Sequence, residues 1–569
     1  MQGFLRACRS YFMAAAAFSL AINLLYLAAP LYMLQVYDRV VSSASEVTLV
    51  MLTIALIMAF ITLAALDAVR ARILTRASIR LDQLIAPRVV TAAIERSPSA
   101  AGAPGQFLRD FDSFRQFITG TGIHAIFDLP WAPIYVAVIF VLHPLLGGFA
   151  LASSIVLIGM ALVNEWLVRP PLNQSNEAAA RNYSFTDMSL RNAEVVQAMG
   201  MTQDLLRHWA RDRNRMLERQ VTASDRAATM ASVIRFLRLS MQSVILGLGA
   251  YLVIERTATV GVMFAASILL GRALQPIEQI VGSWRSLVSA RSTFSRIRDL
   301  LAAYPPRESV LSLPRPSGRL AVDGISYGIP GMTKPILRGV TFRIEAGEVL
   351  GVIGPSGAGK STLARHIVGV LVPFAGVVRL DGADVAKWSR ESLGRHVGYL
   401  PQDIELFADT VANNICRFRA GDDAEIIQAA RSAGIHEMIL RLPNGYETEV
   451  GAGGTVLSGG YRQRIGLARA VYGNPSLIVL DEPSSNLDAD GDVALADCIT
   501  QLKAQGTTVI LISHAPSTLN VVDKLLVIKD GVAEMFGPRA EVLAQLRRSV
   551  PINAVAAEQV FAASGAAGS

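Results

Sequence analysis

Apolar residues crowd the first half of the chain, in runs without charge. Residues 10–37 and 47–66 contain no Asp, Glu, Lys or Arg. Each run meets the ~20 apolar residues needed to cross ~30 Å of hydrocarbon. Residues 129–164 are charge-free for 36 positions. As one helix at ~1.5 Å per residue they would reach ~54 Å, too long for a single crossing. The HPLLGG segment at 143–148 supplies a break, so this run predicts two spans joined by a tight hairpin, the first starting upstream near Gly122. Residues 239–254 and 257–271 are clean for only 16 and 15 positions. They must continue through Arg235 and Arg238, or past Arg272, to span. The pattern predicts six spans.

Charge then orients the spans. The segment after span two carries eight arginines, Arg70 through Arg115, and the segment after span four carries nine, Arg169 through Arg226. The other connections are short and nearly neutral. Loops rich in Arg and Lys stay cytoplasmic, which puts both long loops, the N-terminus and the whole second half on that side. The long loops are rich in Ala, Leu and Arg without strand alternation, so helices running out of the membrane are expected. Arg235 and Arg238 share one helical face. They would either line a polar cavity or snorkel at the cytoplasmic boundary.

Composition narrows the class further. The chain is 52% hydrophobic and 17% charged, whereas soluble domains carry about 25% charged residues. A net charge of +7 invites a nucleic-acid reading, but much of the excess arginine lies in the loops between spans, so no nucleic-acid partner is expected. Cys8, Cys416 and Cys498 are far apart, and the seven histidines form no metal-ligand pattern, which implies reduced thiols and neither disulfide framework nor zinc site. The first apolar run is a span rather than a cleaved signal peptide, because it is long and more spans follow.

The second half reads as α/β. A proline-rich stretch separates it from the spans. A buried-strand pattern at 348–353 runs into GPSGAGKST at 354–362, which is a phosphate-binding loop between strand and helix. Gly354, Gly357 and Gly359 let backbone N–H groups, with Ser356, wrap phosphates, and the helix start at Lys360, Ser361 and Thr362 adds its partial positive charge. Lys360 would reach the β- and γ-phosphates and Ser361 would ligand Mg²⁺. A second strand, 477–480, ends in Asp481 and Glu482. These carboxylates are expected beside the loop, Asp481 holding Mg²⁺ and Glu482 polarising the attacking water.

LSGGYRQ at 457–463 resembles the signature of ABC transporters, and the likeness of the flanking motifs extends over 318–545. That resemblance implies ATP and Mg²⁺ as ligands. It makes Gln402, in YLPQ, the glutamine that senses Mg²⁺, and His514, in ISH, the histidine that stabilises the γ-phosphate. It implies a head-to-tail homodimer in which Ser458, Gly459 and Gly460 of one chain meet ATP held by the other. Tyr461 departs from the usual Gln, with the phosphate-binding residues intact. Tyr327 is the aromatic candidate to stack on adenine; strand packing explains it equally, and aligning the IPG at 329–331 would put Ile329 there instead.

The membrane half narrows the resemblance. PLYMLQVYDR at 30–39, DLPWAPI at 128–134 and AMGM at 198–201 are similar to type I secretion exporters of bacteria, in the branch that exports proteases, lipases, haemophores and surface-layer proteins. Locally these motifs would serve helix packing and turns. The resemblance implies an unfolded polypeptide cargo with a C-terminal signal, exported across the inner membrane with a periplasmic adaptor and an outer-membrane channel. A lipid or small-molecule exporter on the same architecture is the alternative. Span one starts near residue 10, leaving no room before it for the peptidase domain of some relatives. Residues 191–201 are a candidate coupling helix, though packing alone would also account for them. The expected architecture is an α-helical six-span transmembrane domain at 1–300, a linker at 301–317, an α/β P-loop ABC nucleotide-binding domain at 318–545 and a disordered tail at 546–569.

Overall fold

A computed structural model describes residues 8–96, 106–305, 313–329, 334–454 and 456–549. The chain divides into two compact units, Met1–Pro305 and Pro306–Ser569. Of the expected linker, residues 306–312 lie outside the described residues, as does the expected tail from 550 onward, while 301–303 are not linker but the end of the helix Trp284–Ala303. Residues 546–549 are not tail: the last helix, Arg539–Ser549, carries straight through them.

The first unit is helical and, among the described residues, contains six helices long and apolar enough to cross a membrane: Arg9–Ser43, Glu46–Arg96, Thr121–Leu142, Pro144–Arg191, Thr202–Ile254 and Val260–Gly282, called spans one to six. Spans two, four and five run for 51, 48 and 53 residues. At ~1.5 Å per residue each exceeds ~70 Å, more than twice the hydrocarbon thickness. The arginine-rich loops are therefore continuations of the spanning helices themselves, except for Arg109 and Arg115 on the separate helix Gln106–Thr119. The break between spans three and four is tighter than HPLLGG suggested. His143 alone is extended (φ −162°, ψ 130°) and Pro144 opens the next helix, where its missing N–H costs nothing. Gly147 and Gly148 lie inside span four.

The membrane-half motifs are polar joints. Residues Val36–Val40 form a π-helical turn within span one. It brings Tyr37 onto Phe264 of span six, ring centroids 4.6 Å apart. Asp38 accepts from the Thr259 hydroxyl at 2.7 Å and the Gly261 amide at 2.9 Å, giving the span-six N-terminus a carboxylate cap. A Cβ on Gly261 would stand 2.7 Å from the Asp38 Oδ1, so only glycine admits the cap. Asp128, within span three, accepts from Ser19 Oγ at 2.6 Å, Asn23 Nδ2 at 3.0 Å and Arg70 Nη1 at 2.8 Å. Tyr135 donates to Asn23 Oδ1 at 2.8 Å and extends the network. The Arg70 and Asp128 side chains are only 6% and 16% exposed. Helices one, two and three are thereby tied through one carboxylate.

Arg235 and Arg238 have a partner that neither expected arrangement named. Both turn to Glu278 on span six, at 3.4 Å and 2.6 Å. Their sequence neighbourhood could not reveal a partner forty residues away.

The second unit has two sheets. Strands β1 (Leu320–Tyr327), β2 (Leu337–Ile344), β4 (Ala375–Leu380) and β5 (Ala383–Asp384) form an antiparallel sheet ordered β2-β1-β4-β5. Strands β3 (Val349–Ile353), β6 (Val397–Leu400), β7 (Leu477–Asp481), β8 (Thr508–Ile512), β9 (Lys524–Lys529) and β10 (Val532–Pro538) form the other, ordered β10-β9-β3-β8-β7-β6. All its pairings are parallel except β9 with β10. Strands β7 and β8 are buried at every position, as expected for parallel strands covered on both faces. Parallel order brings the carboxyl ends of β3, β6, β7 and β8 to one edge, where ligands of open α/β sheets bind.

Candidate functional site

That edge carries the predicted residues. Strand β3 delivers the phosphate loop, β6 delivers Gln402, β7 ends in Asp481 and Glu482, and β8 is followed by Ser513 and His514. The loop turns through Gly354, Gly357 and Gly359 at φ +152°, +78° and +98°, conformations that L side chains rarely adopt. At Gly354 a Cβ would also collide with the Ile528 carbonyl oxygen. Gly359 then opens the helix Lys360–Ile367, so its free N–H groups point at the loop. Lys360 is 6% exposed. Its ammonium donates to the carbonyls of Gly354 and Pro355, at 2.6 Å and 3.0 Å, and so sits within the loop.

Asp481 is 1% exposed and accepts a hydrogen bond from Ser361. Its Oδ1 is buried without a hydrogen-bond partner. Burial raises its carboxyl above the ordinary aspartate range, and neighbouring Glu482 pushes the same way, against the Ser361 hydrogen bond and the Arg365 and Lys360 charges. An incomplete, desolvated carboxylate oxygen beside a hydroxyl is what a hard divalent cation completes. The donor pair of Ser361 and Asp481 thus fits Mg²⁺ with phosphate and water as other ligands.

Glu482 lies at φ +52°, in the left-handed region. That conformation costs of order 1–3 kcal/mol for a non-glycine residue. Its amide donates to the Ile512 carbonyl at 2.9 Å, which ties the bend to β8. Gln402 donates from Nε2 to Glu482 Oε2 at 2.9 Å, so the two are in direct contact. The His514 turn is fixed by Ser513, whose Oγ accepts from the Ala515 amide at 3.1 Å and shares a hydrogen bond with Thr518 at 2.8 Å. His514 itself is exposed.

Ser458 is the N-cap of the helix Gly459–Val471 yet its side chain makes no capping bond. An exposed hydroxyl and a helix N-terminus are therefore presented together. Gly459 and Gly460 lie against Asn486, within van der Waals distance. Asp488 caps the following helix through the Gly491 amide at 2.9 Å and pairs with Arg464 at 2.8 Å. The Gly491 amide, then Arg464, hold its carboxyl below the usual range. Gln463 was not singled out from the sequence. It is 2% exposed and donates to the Pro483 carbonyl at 2.8 Å, holding the turn that follows Glu482. A glutamine among the apolar positions of a helix was the available signal. Tyr327 stands edge-on to buried His366 at 4.8 Å and tilted against Phe374 at 5.3 Å; Phe374 and Ile329 are exposed beyond it.

A nucleotide-binding edge of this kind, in one chain with six membrane-spanning helices, defines an ATP-driven membrane transporter. Residues 337–485 match the family model "ABC transporter", and residues 12–276 match "ABC transporter transmembrane region". The chain is 42% identical over 96% of its length to the type I secretion system ATP-binding protein PrsD of Rhizobium meliloti, covering 94% of that protein. It is 30% identical to the toxin RTX-I translocation ATP-binding protein of Actinobacillus pleuropneumoniae, over 94% of this chain and 77% of that one. Its fold is similar to that of a bacterial Atm1-family ABC exporter solved with ATP bound, with a TM-score of 0.81, 23% identity, and coverage of 96% and 99% of the two chains. The chain belongs to the type I secretion family of ABC transporters, multi-pass membrane proteins that couple ATP hydrolysis to transport.

Proposed function

We propose that this chain is the ATPase and permease of a type I secretion system, exporting unfolded polypeptides with a C-terminal signal across the bacterial inner membrane. The observation that carries this reading is the 42% identity to a secretion ATP-binding protein over 96% of the chain. Such a span includes the membrane half, so the likeness is not that of shared ATPase motifs alone. The relatives named above give the lipid or small-molecule alternative no support.

The working unit in this reading is a homodimer with two equivalent ATP sites. Lys360 and the N–H groups of residues 356–362 take the phosphates. Ser458 and Gly460, uncommitted within their own chain, meet the γ-phosphate held by the second copy. Glu482 polarises the attacking water, Gln402 keeps contact with it and with Mg²⁺, and His514 steadies the γ-phosphate. Bound to Ser361, Asp481 and Gln402, Mg²⁺ would neutralise charge on the phosphates. Adenine rests near Tyr327 and the exposed Phe374. The ATPase unit faces the cytoplasm, in keeping with the arginine-rich helix extensions. A periplasmic adaptor and an outer-membrane channel complete the conduit. The short helix Ala193–Ala198, between spans four and five, is the proposed coupling element.

Deleting the gene and comparing culture supernatants by mass spectrometry tests the reading. One or a few proteins should vanish outside and persist intact inside. An unchanged secretome removes polypeptide export.

A further inference from the structure

Spans five and six carry polar stripes that reach into their apolar portions. Arg235, Arg238 and Gln242 fall at i, i+3 and i+7, and Arg272, Gln275 and Glu278 at i, i+3 and i+6, one face of each helix. The two stripes meet. Arg235 and Arg238 reach Glu278, and Gly271 lies against the Gln242 amide. The opposite face of span six is core: Leu269, Leu270, Ala273 and Leu274 are at most 1% exposed.

The stripes run deep. Arg272 lies twelve residues from the start of span six at Val260, and Gln242 twelve residues from the end of span five at Ile254. At ~1.5 Å per residue both are ~18 Å in, past the middle of ~30 Å of hydrocarbon. Charged groups at that depth face protein or water rather than lipid. The Arg272 guanidinium lies 3.8 Å from the Tyr26 ring centroid and donates to Gln275 at 3.2 Å. Among the described residues, no carboxylate pairs with Arg272, whereas Arg235 and Arg238 share Glu278. Arg235 is nonetheless 72% exposed. Three arginines against one glutamate leave the strip cationic.

We propose that this strip lines an aqueous path through the membrane and that Arg272 is its contact for carboxylate side chains of the passing polypeptide. The ligand, though not the aqueous strip, rests on the export reading above. A cationic wall of low dielectric concentrates acidic segments and opposes basic ones. A guanidinium stacked on a ring stays oriented and weakly hydrated, ready to take a carboxylate through its fork. Acidic stretches of cargo should therefore engage more strongly than basic ones.

The test uses the full chain in inverted membrane vesicles, with Gln275→Cys as reporter and Ile61→Cys on the exposed apolar face of span two as reference. The native cysteines are all buried and set the background. A water-soluble maleimide should label Gln275→Cys at least roughly tenfold faster than Ile61→Cys, because reaction needs a hydrated thiolate. A synthetic peptide of Glu-Gly repeats should slow that labelling severalfold, and a Lys-Gly peptide should not. Protection should be lost with Arg272→Gln and only partly kept with Arg272→Lys, which retains the charge without the fork. Labelling no faster than at Ile61→Cys overturns the aqueous strip. Equal protection by both peptides, or protection surviving Arg272→Gln, overturns the carboxylate contact. Those failures leave the secretome comparison, which tests export itself, untouched.

Discussion

Asp128 in the membrane half and Asp481 in the ATPase half are both carboxylates withdrawn from water, and their surroundings treat them oppositely. Asp128 is answered by its own chain: Ser19, Asn23 and Arg70 all donate to it. Asp481 receives Ser361 and leaves Oδ1 with no partner. A carboxylate oxygen met by three protein donors ties elements together. One left short is prepared for something that arrives, at the cost of a desolvated oxygen in the meantime. The same division separates Asp38, whose oxygens cap span six, from Glu482, held in a strained backbone and touched by Gln402.

The contrast breaks most heavily at Asp128. Asp128→Ala leaves buried Arg70 with Asp67, 2.7 Å away and half-exposed, as its remaining carboxylate, so the cost should lie near or below about 3 kcal/mol, the lower end for a broken buried pair. Thermal unfolding of the purified protein in detergent should show a large fall, mostly regained by adding Arg70→Met. If the single variant melts normally, the network is not what joins the helices. Next comes Glu482→Gln, which should lower ATP turnover roughly a hundredfold or more while ATP still traps a closed dimer. Phosphate release and size-exclusion elution check both parts, and ordinary turnover would remove Glu482 from catalysis.

Asp481→Asn sharpens the contrast because its stability effect should have the opposite sign to that of Asp128→Ala. Burial raises the Asp481 carboxyl, so the folded state holds this proton more tightly than the unfolded state. Its contribution to stability therefore declines as pH rises above the ordinary aspartate range. Replacing it should raise the melting temperature of nucleotide-free protein, more at pH 8 than at pH 5. The variant should also lose the stabilisation by Mg-ATP, about 2.7 kcal/mol at a hundredfold excess over Kd. A melting curve lowered at every pH would make Asp481 structural, like Asp128. The smallest effect is expected at Thr259→Ala, about 1 kcal/mol, from a hydroxyl that accepts from the Val262 amide and donates to Asp38, read in the same melting experiment. A much larger loss there would mean that the Asp38 joint depends on the Thr259 hydroxyl rather than the Gly261 amide.

Much of the plan was legible in the order of residues. Spans two and four could be read because charge-free length is a local property. The phosphate loop could be read because strand, glycine turn and helix are contiguous. The break at 143–148 was legible as a place, while its mechanism, one extended residue before a proline, was not. The partners of Arg235 and Arg238 were hidden because helix pairing brings Glu278 to them from the next span. The role of Asp38 was hidden because its donors lie more than two hundred residues away. Gln463 was hidden inside a motif whose other residues have louder chemistry.

From the sequence alone came the six spans, the phosphate cradle with Asp481 and Glu482 downstream, and the resemblance to secretion exporters. Each rests on run length, spacing or a short motif, quantities set along the chain. Only the tertiary structure decided which carboxylates are complete and which are left waiting, which arginines are paired, and where Glu482 bends. Those outcomes depend on which donors arrive from distant elements, and a polar group taken out of water is defined by what meets it there.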